Sequence, residues 1–331
     1  MRPSAPLLVI AALLAPAIAA AQPAPPPEPP TVAPTVDPAM DGDGRIVGGR
    51  VAAPGSAPWQ AEIRVVDRYQ ATTPKHTRGQ AKYTAAELAR APLWAWTHHC
   101  GGALIAPGWV LTAAHCVPKE DLALGLRVQI GTQDLRSPGW SYAIAKAYTH
   151  EKYQPIGTIN DIALLQLSPR AESAPKGRKP SFRPIPVAGL SGQPAVLAGG
   201  DRVLVTGWGR TTPANFNEDR AADQIMPSAP SGLKEVDQGI VDTATCLRSF
   251  PGKIQPGMVC ATGLKAGEDS FNGDSGGPMI RERPRGHFML VALVSWGADQ
   301  CGAKPGVYTQ VADYAQWIRT TMGRAAATLV P

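Results

Sequence analysis

From residue 46 onward the chain is cut into short apolar runs by glycine and proline, and that rhythm restricts the folds open to it. Residues 126–130 (Leu, Arg, Val, Gln, Ile) alternate with period two, as a half-buried strand does. Residues 162–167, 203–206 and 289–294 are further β-prone or apolar runs bounded by polar or Gly/Pro stretches. A regular alternation of helix and strand is absent, which argues against a parallel α/β sheet. The C-terminus differs. Val311, Tyr314, Ala315, Ile318 and Met322 fall on one helical face and predict a closing helix. Thr84 and Glu87 make a capping box before Leu88, predicting a short helix that Pro92 would end.

Residues 1–21 read as a signal peptide. Arg2 supplies the positive start, residues 7–14 an apolar run too short to span a bilayer, and Ala19, Ala20 and Ala21 a small-residue cleavage site. Residues 22–45 hold eight prolines and almost no large apolar residue, so they cannot bury enough surface to offset their ordering entropy. The working domain is therefore expected over residues 46–331. Its basic residues lie in scattered polar stretches (75–82, 178–183, 281–285) without interleaved aromatics, which favours solvated loops over a nucleic-acid surface. Five cysteines (Cys100, Cys116, Cys246, Cys260, Cys301) behind a signal peptide predict disulfides with one thiol left over. No CxxC or HxxH spacing suggests a metal site, and no metal or other cofactor is expected.

Chemistry concentrates in Gly273, Asp274, Ser275, Gly276, Gly277 and Pro278. Glycines around one serine suit a tight turn in which backbone N–H groups approach a substrate. The pattern also satisfies the G-x-S-x-G nucleophile elbow of α/β-hydrolases. Chain order separates the two. An α/β-hydrolase esterase needs an acid and then a histidine after the serine, yet only His287 follows Ser275, with no Asp between them. The order His, Asp, Ser is well supplied. His115 stands beside Cys116, and Asp161 opens an apolar strand in which its carboxylate would need a partner such as a histidine N–H.

These residues resemble the trypsin/chymotrypsin family of serine proteases. The resemblance rests on residues 46–49 (Ile-Val-Gly-Gly), 100–102 (Cys-Gly-Gly), 112–116 (Thr-Ala-Ala-His-Cys), 160–164 (Asn-Asp-Ile-Ala-Leu), 207–209 (Gly-Trp-Gly), 273–278, 295–297 (Ser-Trp-Gly) and 304–309 (Lys-Pro-Gly-Val-Tyr-Thr). Each is weak alone; all eight occur in family order across residues 46–322. The resemblance implies an all-β fold of two six-stranded antiparallel barrels with the site between them, plus a C-terminal helix. It implies a nucleophile at Ser275, a general base at His115, an orienting acid at Asp161, and an oxyanion hole from the Gly273 and Ser275 N–H groups. Ser295 would sit beside Asp161.

The resemblance also implies a zymogen. Cleavage after Arg45 would free the Ile46 amine to pair with Asp274. Asp269 would lie at the base of the primary specificity pocket and select Arg or Lys, with Ser270, Ser295, Trp296, Gly297 and Gly306 as further substrate-binding positions. Cys100–Cys116 and Cys246–Cys260 would be the disulfides. Phe271 departs from the family, which usually has there a cysteine bridged to the position of Cys301, so Cys301 is left single. The family's calcium loop is not recognisable between Gly131 and Tyr142, where Asp134 is the one acid. The insertion at about residues 68–96 should border the leaving side of the cleft.

The expected protein is thus a monomeric secreted endopeptidase, extracellular or, in a Gram-negative host, periplasmic. Its partners are protein or peptide substrates cut after Arg or Lys and protein inhibitors, with neither nucleic acid nor membrane involved. The rival reading is a catalytically silent homologue that acts as a binding module.

Overall fold

Strand β1 (Arg50–Val51) pairs antiparallel with β9 (Lys234–Ile240), tying the start of the described chain to its middle. The protein is described here by a computed structural model covering residues 49–65, 92–190, 197–209, 231–265, 267–270, 273–298 and 302–327. A first closed antiparallel barrel runs in the order β2 (Gln60–Val65), β3 (His98–Ala106), β4 (Trp109–Thr112), β7 (Ala163–Leu167), β6 (Trp140–Thr149), β5 (Leu126–Ile130). A second closes through β8 (Arg202–Gly207), β9, β10 (Met258–Gly263), β13 (Gly306–Gln310), β12 (His287–Trp296) and β11 (Pro278–Arg283). The expected two six-stranded barrels are present, and the apolar runs read from the sequence became β5, β7, β8 and β12.

The barrels close because each strand turns an apolar face inward. Leu126, Val128 and Ile130 fill the first barrel from alternate positions of β5. β12 is buried on both faces from Met289 to Val294, one against its own barrel and the other under the 3-10 turn Val311–Tyr314 and the connection near residue 187. The expected C-terminal helix begins as that 3-10 turn and continues as an α-helix, Ala315–Ala327, with Val311, Tyr314, Ala315 and Ile318 buried as read. The helix expected before Pro92 lies outside the described residues. Pro92 caps the start of a five-residue helix, α1 (Leu93–Thr97), where its fixed φ and missing N–H cost nothing.

Both expected disulfides are formed. Cys100–Cys116 ties β3 to the 3-10 turn Ala114–Cys116, and Cys246–Cys260 ties the helix Thr243–Ser249 to β10. Rings of this size are worth about 3 kcal/mol each in the chain-entropy model. Among the described residues no helix is long and apolar enough to cross a membrane.

Candidate active site

His115 sits on the 3-10 turn that follows β4, pinned through its neighbour Cys116 to β3. Its Nδ1 lies 2.8 Å from Asp161 Oδ2, and its backbone N–H donates to Asp161 Oδ1 at 2.9 Å. Asp161 is fully buried in the link between β6 and β7. The second barrel supplies the rest of its surroundings. Ser295 Oγ donates to Asp161 Oδ2 at 2.6 Å, and Thr309 Oγ1 donates to the Asp161 carbonyl at 3.0 Å. Ser295 can do this because it is the extra residue of a β-bulge, where the register of β12 against β13 shifts between Val294 and Trp296. A buried carboxylate is tolerated only when its lone pairs are met, and these donors meet them.

Ser275 lies in the loop that enters β11. Gly273 (φ 101°) and Gly276 (φ 72°) adopt backbone conformations that a side chain resists, which explains the glycines around the serine. The loop is clamped to the first barrel: Gly101 N–H donates to Ser275 O at 2.8 Å, and a Cβ on Gly276 would collide with Thr112 and Ala113, directly before His115. Serine loop and histidine turn therefore share one seam between the barrels. Among the described residues the N–H groups of Gly273 and Ser275 donate to no protein acceptor, so both are available to a developing oxyanion. The Gly273 carbonyl is held from behind. His98 Nε2 lies 3.0 Å from it, while His98 Nδ1 faces the buried Glu62 at 3.2 Å. Asp274 is fully buried and accepts from Gly209 N–H at 2.8 Å. A Cβ on Gly207 or Gly209 would overlap its carboxylate, the physical reason for glycine on each side of Trp208.

Asp269, six residues before the serine, is buried at 6% exposure. Gln238 Nε2 donates to its Oδ1 and Gly302 N–H to its Oδ2, each at 3.2 Å. Burial dominates and pushes its pKa up to about 6, partly opposed by the hydrogen bonds from Gly302, Ser270 and Gln238. Gln238 is itself oriented: Tyr308 OH donates to its Oε1 at 2.7 Å. That hydroxyl has one proton, so Ser270 Oγ, 2.7 Å from the Tyr308 oxygen, is the donor in their contact. A Cβ on Gly297 would meet only Gly306 Cα, 4.0 Å away, whereas a Cβ on Gly306 would press on the Tyr308 hydroxyl at 3.0 Å. Trp296 packs edge-on against Phe250 at 4.9 Å.

The family model described as Trypsin matches residues 46–318. The chain belongs to the trypsin family of serine proteases. It is 35% identical to human granzyme M over 235 residues, covering 70% of this chain and 82% of the relative. It is 31% identical to kallikrein-15 of Saguinus oedipus over 286 residues, 85% and 92% of the two chains. Among solved structures it resembles neuropsin, a serine protease expressed in the limbic system of mouse brain, with a TM-score of 0.60 and 31% identity over 83% of this chain and 98% of that one. As a member of the trypsin family the protein is a hydrolase, a serine endopeptidase acting on protein substrates.

Of the residues expected from the sequence, the fold brings His115, Asp161, Ser295 and the serine loop to one seam between the barrels, and it buries Asp269 against Gln238 and Gly302 in the second barrel. Arg45, Ile46, Phe271, Cys301 and insertion residues 68–91 lie outside the described residues. The reading missed Glu62, His98 and Gln238. The strands of Glu62 and Gln238 (Gln60–Val65 and Lys234–Ile240) carry several polar residues each, so no local signal singled out either one. Asp134 is occupied by Arg136, whose guanidinium hydrogen bond holds it below the usual carboxylate range. Cys100, His115 and Cys116 cluster closely, but both sulfurs are consumed by the disulfide, leaving one imidazole.

Proposed function

We propose that the chain is the secreted precursor of an endopeptidase that cuts after Arg and Lys through His115, Asp161 and Ser275. The observation that carries this reading is the buried Asp161 carboxylate facing His115 Nδ1 at 2.8 Å. Hydrogen bonding at Nδ1 makes the other nitrogen, Nε2, the base. Ser275 Oγ attacks the peptide carbonyl as its proton passes to His115 Nε2, and the carbonyl oxygen becomes an oxyanion received by the Gly273 and Ser275 N–H groups. His115 then gives the proton to the leaving amine, the C–N bond breaks, and an acyl ester on Ser275 remains. Water repeats the sequence and restores the enzyme.

Asp269 supports the choice of Arg or Lys, because a buried carboxylate regains in a bound cation the charge partner that burial denied it. Activation by cleavage between Arg45 and Ile46 is part of the same proposal, with buried Asp274 as the acceptor of the new amine. Peptide-library cleavage by protein beginning at Ile46 tests the reading. Cuts after Arg and Lys are expected; a preference for Phe or Leu would contradict the role given to Asp269.

A further inference from the structure

Two basic stretches that the sequence presents as separate solvated loops, 178–183 and 281–285, converge in the fold. They meet at a recess of about 540 Å³ where Arg183, Arg283, Arg285 and His287 surround Trp59 and Phe288. None of its lining residues is acidic. Among the described residues the side chains of Arg183, Arg283 and Arg285 make no hydrogen bond or ion pair, whereas Arg281 on the same strand is neutralised by Asp201 at 3.1 Å. The recess is built rather than incidental. Arg183 N–H donates to Pro58 O at 3.1 Å, Leu290 N–H donates to Pro186 O at 2.9 Å, and Trp59 packs on Phe288 with centroids 5.7 Å apart. Arg285, at φ 70°, projects from the tight hairpin turn that joins β11 to β12. The indole Nε1 of Trp59, a nine-tenths-buried wall residue, is a buried donor without an acceptor among the described residues.

We infer that this recess is a second binding site, an exosite for an acidic peptide segment carried by a protein substrate or inhibitor. Three unpaired guanidinium groups and a histidine select carboxylates. The walls select a peptide over a sulfated sugar: Phe288, backed by the buried Trp59, and the exposed Pro184, Pro186 and Pro284 offer apolar surface to side chains and few donors to a chain of hydroxyls. β11 leaves the serine loop at Pro278 and reaches Arg283 five residues on, about 17 Å at strand rise, so the recess is separate from the serine loop.

The test uses the full chain and a fluorescein-labelled peptide of Asp, Glu, Tyr and Pro, lacking Lys and Arg so that it is not a substrate. Fluorescence anisotropy should report saturable, salt-sensitive binding. The triple variant Arg183→Ser, Arg283→Ser, Arg285→Gly, whose glycine accepts the positive φ, should bind about tenfold more weakly, three exposed charge contacts being lost. After activation it should hydrolyse a small Arg amide like the parent. Equal peptide binding by parent and triple variant would overturn the exosite. So would a parent that binds a heparin fragment of similar length and not the peptide. If circular dichroism shows the triple variant unfolded, Arg183→Ser alone decides: its side chain is on an exposed connection, a loss of about threefold is expected, and unchanged binding refutes the site.

Discussion

Gln238 Nε2 donates to Asp269 Oδ1 at 3.2 Å from a position with no exposed surface, so a strand of the second barrel reaches the carboxylate that we propose as the base of the specificity pocket. Burial pushes Asp269 up to about 6, and Gln238 acts against that rise; Asp274 raises it further, and Tyr308 is the other titratable neighbour. Protonation would remove the charge that, in the proposed function, holds a substrate cation. KM for an Arg substrate should therefore climb as pH falls through about 6. Gln238→Leu deletes a donor to the ionised form, so the same inflection should move to higher pH. Steady-state kinetics from pH 5 to 9 check this, and coincident profiles for parent and variant would rule the bridge out.

The raised pKa also has a cost in stability. Folded Asp269 titrates near 6 and unfolded Asp near 3.8, so the folded state binds more protons between those values and stability falls as pH rises through that window. Above it the ionised carboxylate costs the substrate-free fold about 3 kcal/mol. Asp269→Asn should melt higher than the parent at pH 8 and near it at pH 4. Equal shifts at both pH values would show that charge is not the cause.

His98 touches no substrate position; it acts through the Gly273 carbonyl. With Glu62 fixing one ring nitrogen and Gly273 O facing the other, the ring holds the loop that aims the Gly273 N–H. His98→Ala should lower kcat about ten- to hundredfold, less than outright loss of an oxyanion donor, and leave KM for a small substrate within about threefold. A rise in KM with kcat preserved would assign His98 to binding instead.

Activation is tested at the precursor. Arg45→Gln removes the cleavage site before Ile46, so that chain should remain intact and inactive toward Arg amides. The parent should gain activity in step with appearance of the Ile46 amino terminus by sequencing.

Single strands were readable because strand period and Gly/Pro punctuation are local, while their closure into two barrels came from the resemblance; the serine loop was readable because its glycines, two of them at positive φ, declare a tight turn. Asp161 was readable as an acid at the head of an apolar strand, where a partner is compulsory. Its donor Ser295, 134 residues away, carried no local signal, since the bulge that re-aims it exists only once β12 and β13 pair, and its place beside Asp161 came from the resemblance alone. His98 reaching Gly273 across 175 residues, and Arg183 meeting Arg283, are likewise products of barrel closure. The short helix shows the limit from the other side. Pro92 reads as a helix stop in the sequence, and the structure shows that it also precedes a helix, whose Trp96 packs into the wall.

The central claim is that Ser275 performs the chemistry with His115 as its base. Hydrolysis of an Arg peptide amide by protein beginning at Ile46, compared with its Ser275→Ala variant, tests it most directly. A fall in kcat of roughly 10⁶, with His115→Ala losing about as much, is predicted because the groups act as a unit. Unchanged amide hydrolysis by folded, purified Ser275→Ala protein would contradict it.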